Sequence, residues 1–228
     1  MNSNIVLVAA LLAPFAATAG AQAQTAPSTA EIAAYEGLHR AAHNGDTAEI
    51  RRLAATGVDV DARDRYGRTP AHVAAFASND DALRTLAQVG ADMDALDGQA
   101  YDVVTIAAVA DDPELMALAI ELGNDPGLTT SPYAGTALIA AAHLGRVEVV
   151  RRLIAAGAPL DHVNNLRWTA LMEAVVLGDG GADHQQVVRL LLDAGADATI
   201  ADRDGVTPLA HARARGYAAM AGLLEAKR

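Results

Sequence analysis

Glycine returns at a nearly fixed interval along this chain, each time after an apolar stretch. It stands in LAATGVDVDA (Gly57), LAQVGADMDA (Gly90), AIELGNDPGL (Gly123), LIAAGAPLDH (Gly157) and LLDAGADATI (Gly195). The first four are 33 or 34 residues apart, and the last gap is 38. A segment of that length cannot bury its apolar face alone. The chain must therefore stack neighbouring copies so that each covers the next.

A second landmark keeps step with the first. TPAHVAA at Thr69 and TALIAAA at Thr136 each begin 21 residues before a glycine, Gly90 and Gly157. TALMEAV at Thr169 and TPLAHAR at Thr207 repeat it, and EGLHRAA at Glu36 is a worn copy. Thr69 and Thr207 precede proline, so threonine can cap a helix whose first position is proline. That helix should end near a glycine such as Gly45 or Gly145. Asp46 with Glu49 then has the spacing of a capping box for a second helix. In the fourth copy Val149, Val150, Leu153 and Ile154 fall on one face at helical spacing. The recurrent glycine fits a left-handed C-cap, and the Asp- and Asn-containing residues after it turn the chain toward the next copy.

These two landmarks resemble the ankyrin repeat, whose period is 33 and whose signature is T-P-L-H-x-A. The resemblance covers 32–228 and implies an all-α solenoid of about six stacked helix-turn-helix units with β-turn fingers. The units begin near 32, 66, 99, 133, 166 and 205, giving 32–65, 66–98, 99–132, 133–165, 166–204 and 205–228. The third departs most. AYDVVTIAAVADDPELM lacks the threonine signature, and Asp112-Pro113 is its candidate second-helix start.

Composition narrows the functions open to the chain. Of its 228 residues 52% are hydrophobic but only 4% aromatic, and alanine supplies much of the apolar share. Small side chains in bulk suit closely packed helices better than a sandwich or barrel. The formal net charge of -11 opposes phosphate backbones and anionic membrane surfaces, so no nucleic-acid partner is expected. There is no cysteine, which removes disulfides, thiolate metal sites and cysteine nucleophiles. The N-terminus reads as an export signal over 1–23: the apolar run IVLVAALLAPF followed by Ala21-Gln22-Ala23, an A-x-A cleavage pattern. No Lys or Arg precedes that run, which is off-pattern. Residues 24–31 then read as a flexible lead-in, and the mature chain as secreted or periplasmic, with no membrane insertion after cleavage.

Catalytic chemistry finds little material. His162, His184 and His211 have no H-x-x-x-H or H-E-x-x-H partner, and the recurrent His43 and His143 are about three units apart, too far to share an ion, so no metal or other cofactor is expected. His39 and His72 occupy the signature histidine, where the ring bonds between units. No serine lies in G-x-S-x-G, and there is no Walker-type loop; the chain reads as no enzyme. The resemblance implies instead an unidentified protein partner lying against the fingers and the inner, first-helix face. Mapped here, those positions are Arg65, Tyr66, Arg68, Phe76, Tyr133, His143, Leu144, Leu166, Arg167, Trp168, Val176 and Leu177. Phe76 and Trp168 have packing between units as their alternative role.

Two other functional classes are open at this level: an acidic inhibitor or immunity-type protein or stress-defence accessory factor, and a small-ligand or metal-binding protein. One stretch is a candidate for a partner contact or an ion. LGDGGADHQQ, residues 177–186, places glycines beside Asp179, Asp183 and His184, and it accounts for five residues beyond the usual spacing between Thr169 and Gly195. By register it lies between the two helices of the fifth unit, with Asp183 placed to cap the second helix.

Overall fold

A computed structural model describes residues 24–227. The signal expected over 1–23 lies outside the described residues. A short helix α1 (Thr29–Ala34) precedes six helix pairs: α2 (Gly37–Asn44) with α3 (Thr47–Ala54), α4 (Pro70–Phe76) with α5 (Asp80–Gln88), and α6 (Val103–Ala110) with α7 (Pro113–Glu121). Then follow α8 (Ala137–His143) with α9 (Val147–Ala155), α10 (Ala170–Val176) with α11 (Ala182–Ala194), and α12 (Pro208–Ala214) with α13 (Ala218–Ala226). The pairs stack in sequence order, and the principal helix contacts join each pair internally or to its neighbour. No β-strand forms among the described residues. One isolated bridge, Thr130 to Gly135, closes the finger that opens the fourth unit. No helix among the described residues is long and apolar enough to cross a membrane.

Local chemistry starts the helices where the signature places them. Thr136, Thr169 and Thr207 accept the backbone N–H of Ile139, Met172 and Ala210, which satisfies one of the free donors of each helix start. In the divergent third pair Asp102 takes the role of threonine, accepting from Thr105 N at 2.8 Å. Asp112 caps α7, with Pro113 at its first turn. The paired alanines of the first helices, Ala74-Ala75, Ala107-Ala108 and Ala141-Ala142, are buried, and their small size lets successive first helices approach closely. Val149, Val150 and Leu153 fill the space behind them, with Ile154 partly covered.

Polar straps tie each pair to the next. His39 Nε2 and His72 Nε2 donate to the carbonyls of Arg68 and Tyr101, both at 2.9 Å. The backbone N–H of Thr69 donates to Nδ1 of His72 at 3.1 Å, which leaves the proton on Nε2. Burial pushes the His72 ring below its ordinary pKa, consistent with that neutral tautomer.

The lead-in differs from its reading as a flexible segment. Ser28 caps α1 in a capping box with Glu31. Arg68 then holds this helix by donating to the carbonyl of Thr25 at 3.2 Å and pairing with Glu31.

Each finger turns through a hydrogen-bonded β-turn whose last residue is left-handed: Gly67 (φ 75°), Ala100 (62°), Ala134 (52°), Arg167 (67°) and Gly205 (76°). The tips join side by side through Gly98 N to Tyr66 O (2.8 Å), Ser131 N to Ala100 O (2.6 Å) and Asn165 N to Tyr133 O (2.9 Å). Alanine in the left-handed region is strained by ~1–2 kcal/mol, part of which glycine would return as unfolded-state entropy. Ala100→Gly and Ala134→Gly are therefore expected to raise unfolding free energy by up to about 1 kcal/mol in urea titrations. Gly98→Ala should lower it by roughly 1–3 kcal/mol, because its β-carbon would strike the Tyr66 carbonyl.

Candidate functional surface

The sequence-selected residues lie on the finger tips and at the C-terminal ends of the first helices. Tyr66 is 48% exposed and lies between two guanidiniums, Arg65 at 4.8 Å and Arg68 at 4.7 Å from its ring centre. Arg65 is exposed, and so is Arg167 beside the 39%-exposed Leu166. Tyr133 and Trp168 are half-buried. On the inner face Leu144 and Leu177 are exposed, Val176 is half-buried, and His143 is partly open.

Two of the selected residues are placed differently. Arg68 is fully buried, so it is not available to a partner as the chain stands. Its Nε donates to Asp64 at 2.8 Å, and the same carboxylate accepts the Tyr35 hydroxyl at 2.9 Å. The reason is α1, which the sequence reading did not contain and which brings Glu31 onto the guanidinium. The Ser28 hydroxyl, then its backbone N–H and Arg68, hold the Glu31 carboxyl down to about 2, against the opposing effect of burial. Phe76 is half-buried and packs against the core, the alternative role weighed for it.

Sequence reasoning missed Glu173. This carboxylate lies buried on the inner face, accepts Asn164 Nδ2 at 3.0 Å and meets His143 Nδ1 at 3.2 Å. Its signal was available: an acid stands where the second and fourth units have Val73 and Ala140. Arg63 and Arg203, exposed beside the selected tip residues, were also passed over.

The long turn of the fifth pair is mostly packing. Residues 177–181 join α10 to α11, where 144–146 join α8 to α9. The other three added residues lengthen α11, which has 13 residues against nine in α9 because it also takes in Ala194, the counterpart of the α9 C-cap Ala156. His184 is nearly buried and spans two acceptors, the carbonyl of His143 and the Asp179 carboxylate, both at 2.9 Å. The Gly181 N–H, followed by His184, keeps the exposed Asp179 carboxyl below its ordinary range. Gly178 lies against the Ala174 carbonyl, which a β-carbon would strike, and against the His184 ring, which it would approach to 2.6 Å. Gly180 is left-handed, and a β-carbon there would lie 2.6 Å from the Tyr217 ring. These glycines admit neighbouring rings. Asp183 does not cap the helix: Gly181 holds the N-cap position, and Asp183 is exposed inside the first turn. Among the described residues no three His, Cys, Asp or Glu side chains are grouped to hold a metal ion.

His184→Ala removes both bonds and should lower unfolding free energy by roughly 1–3 kcal/mol. Asp183→Ala should change it by less than about 0.5 kcal/mol. Paired urea denaturation curves separate the two.

Comparison with known proteins agrees with this architecture. The family description "Ankyrin repeats (3 copies)" matches residues 104–202, and "Ankyrin repeats (many copies)" matches 38–86. A putative ankyrin repeat protein of Escherichia coli (strain K12), YahD, is 33% identical over 186 residues, 81% of this chain and 92% of its own length. The crystal structure of an ankyrin repeat domain from Acinetobacter baumannii AYE superposes with a TM-score of 0.77 at 44% identity, covering 83% of this chain and 96% of that one. A chain from the complex of a Bdellovibrio bacteriovorus predatory endopeptidase with an immunity protein shares the fold, with a TM-score of 0.68 at 23% identity over 85% of this chain and 99% of its own. Repeat landmarks, helix pairs and relatives agree, and the chain belongs to the ankyrin-repeat family.

Proposed function

We propose that this chain is an exported, non-catalytic array that binds a partner protein through its finger tips and inner helix face. Ankyrin repeats are protein-interaction modules, which gives the coarse function. One observation carries the assignment of the face. Among the described residues the large apolar side chains left exposed are Val58, Tyr66, Leu144, Leu166 and Leu177. All but Val58 lie on finger tips or at the C-terminal ends of first helices. Apolar side chains gathered on one side of a soluble array mark a contact surface, and binding hot spots favour aromatic and arginine neighbours of the kind found there.

A second reading, an acidic immunity-type inhibitor, draws on the net charge of -11 and on the fold shared with the chain from the peptidase complex. It would place a basic enzyme against the acidic sides of the array.

Photo-crosslinkers at positions 144, 166 and 177, with position 151 on the outer helices as control, would identify the partner and its face. With that partner purified, Leu144→Ser with Leu177→Ser should weaken binding at least about tenfold, and the thermal midpoint should hold. Unchanged affinity would remove the inner face from the proposal. Export rests on the apolar run from Ile5 to Phe15 and the A-x-A at 21–23. N-terminal sequencing of protein recovered from its native compartment should begin at Gln24; a chain beginning at Met1 would overturn it.

A further inference from the structure

We infer that the finger tips form a basic row that takes an acidic segment of the partner protein, and that Glu31 of the lead-in already fills the first place in that row. This inference rests on the protein-binding reading above and adds the chemistry of the partner.

The whole chain is acidic, but its charges are sorted. On the outer helices Arg52, Arg84, Arg151 and Arg152, with Arg146 at the start of α9, each meet a carboxylate of this chain, while Arg51 reaches Gln88. The fingers are arranged differently. In three of the five turns an acid sits at the base and is occupied there. Asp64 accepts the N–H of Tyr66 at 2.8 Å and the Arg68 side chain. Asp97 accepts the N–H groups of Gln99 at 2.8 Å and Tyr101 at 3.0 Å. Asp202 accepts from Asp204 and Val206 and lies 2.7 Å from His211. The fourth and fifth units have Ser131 and Asn164, which carry no charge, in this place.

The arginines project instead. Arg63, Arg65, Arg167 and Arg203 are exposed in and beside the turns, where Asp204 is the exposed carboxylate; Asp59, Asp92, Asp125, Asp161 and Asp197 are exposed earlier in the same loops, nearer the second helices. Arg63 donates to the carbonyls of Gly67 and Leu96, and Arg203 to that of Asn165 at 3.1 Å. Both guanidiniums therefore lie along the row and use backbone oxygens of the adjacent finger. Among the described residues no carboxylate pairs with Arg63, Arg167 or Arg203. Arg167 keeps its charged side chain at a left-handed position where two sister fingers use glycine.

The lead-in shows what the row accepts. Glu31 is a carboxylate brought in from outside the fingers; it pairs with Arg68 and lies 3.9 Å from Arg65. Beside it a cleft of about 510 Å³ runs past Tyr66 and Gly98. The leucines on the inner face, and Leu166 and Trp168 beside Arg167, favour a protein segment over a polyphosphate chain, which the net charge of -11 also repels. The chemistry that fits is an extended segment alternating carboxylates with apolar side chains.

Three fluorescein-labelled peptides of equal length test this: alternating Glu and Leu, Gln and Leu, and Lys and Leu. Anisotropy titrations with the mature chain should show the Glu peptide binding at least about tenfold tighter than the Gln peptide at ~20 mM salt, with the gap closing at ~300 mM. Arg167→Gln with Arg203→Gln should remove most of that preference and leave the thermal midpoint in place. Glu31→Gln removes the carboxylate beside the exposed Arg65, while Arg68 keeps Asp64, and should tighten the Glu peptide severalfold. Preference for the Lys peptide, no saturable binding of the Glu peptide, or a Glu preference untouched by the arginine pair overturns the inference. If all peptides bind alike and Leu144→Ser with Leu177→Ser abolishes binding, the contact face stands and the acidic partner falls. If neither pair of substitutions alters any binding, both fall.

Discussion

No helix pair in this array can cover its own apolar side, so every stabilising contact of consequence is made with a neighbour. Helices two turns long are marginal in isolation, and here they are held by the buried alanine and leucine faces of the next pair. Polar straps set the spacing of that stack. His72 reaching the Tyr101 carbonyl, Asn79 reaching the Ala42 carbonyl and His184 reaching that of His143 each cross one inter-unit boundary. Apolar burial supplies the attraction, and these straps fix the register in which it acts.

The repeat itself was legible because each landmark has a local physical cause. A threonine cap, a first-turn proline and a left-handed glycine act within a few residues, so they read directly from sequence. Asp112-Pro113 was legible for the same reason. What escaped depends on groups far apart in the chain. Arg68 carries a tip residue's pattern, yet it is buried because Glu31, from a segment with no repeat signature, reaches it. Asp183 had the spacing of a cap, but the helix begins at Ala182 with Gly181 at the N-cap, and His184 in its first turn bonds to the preceding unit. Glu173 shows the remaining gap: its residue type stood out, but its partners lie on another unit and on the finger base.

The glycine-rich stretch of the fifth unit has changed meaning. Glycines beside aspartate and histidine resemble a ligand cradle when read in line. In three dimensions two of those glycines are shaped by the rings of His184 and Tyr217, and Asp179 orients one of those rings. The chemistry of the molecule is concentrated elsewhere, on the side where leucines and unpaired guanidiniums share an exposed surface.

The lengthened α11 has a consequence of its own. An extra stretch of helix and a longer turn in the middle of a closed domain would push against every layer around them. Here α10 still meets α8 and α12, and α11 still meets α9 and α13, as in the units without the insertion. The change is mechanically insulated, because strain in a one-dimensional stack has only two directions to travel and both are met by short polar straps. An array of this kind can therefore be reshaped one unit at a time, with the sides revised while the fingers keep their line.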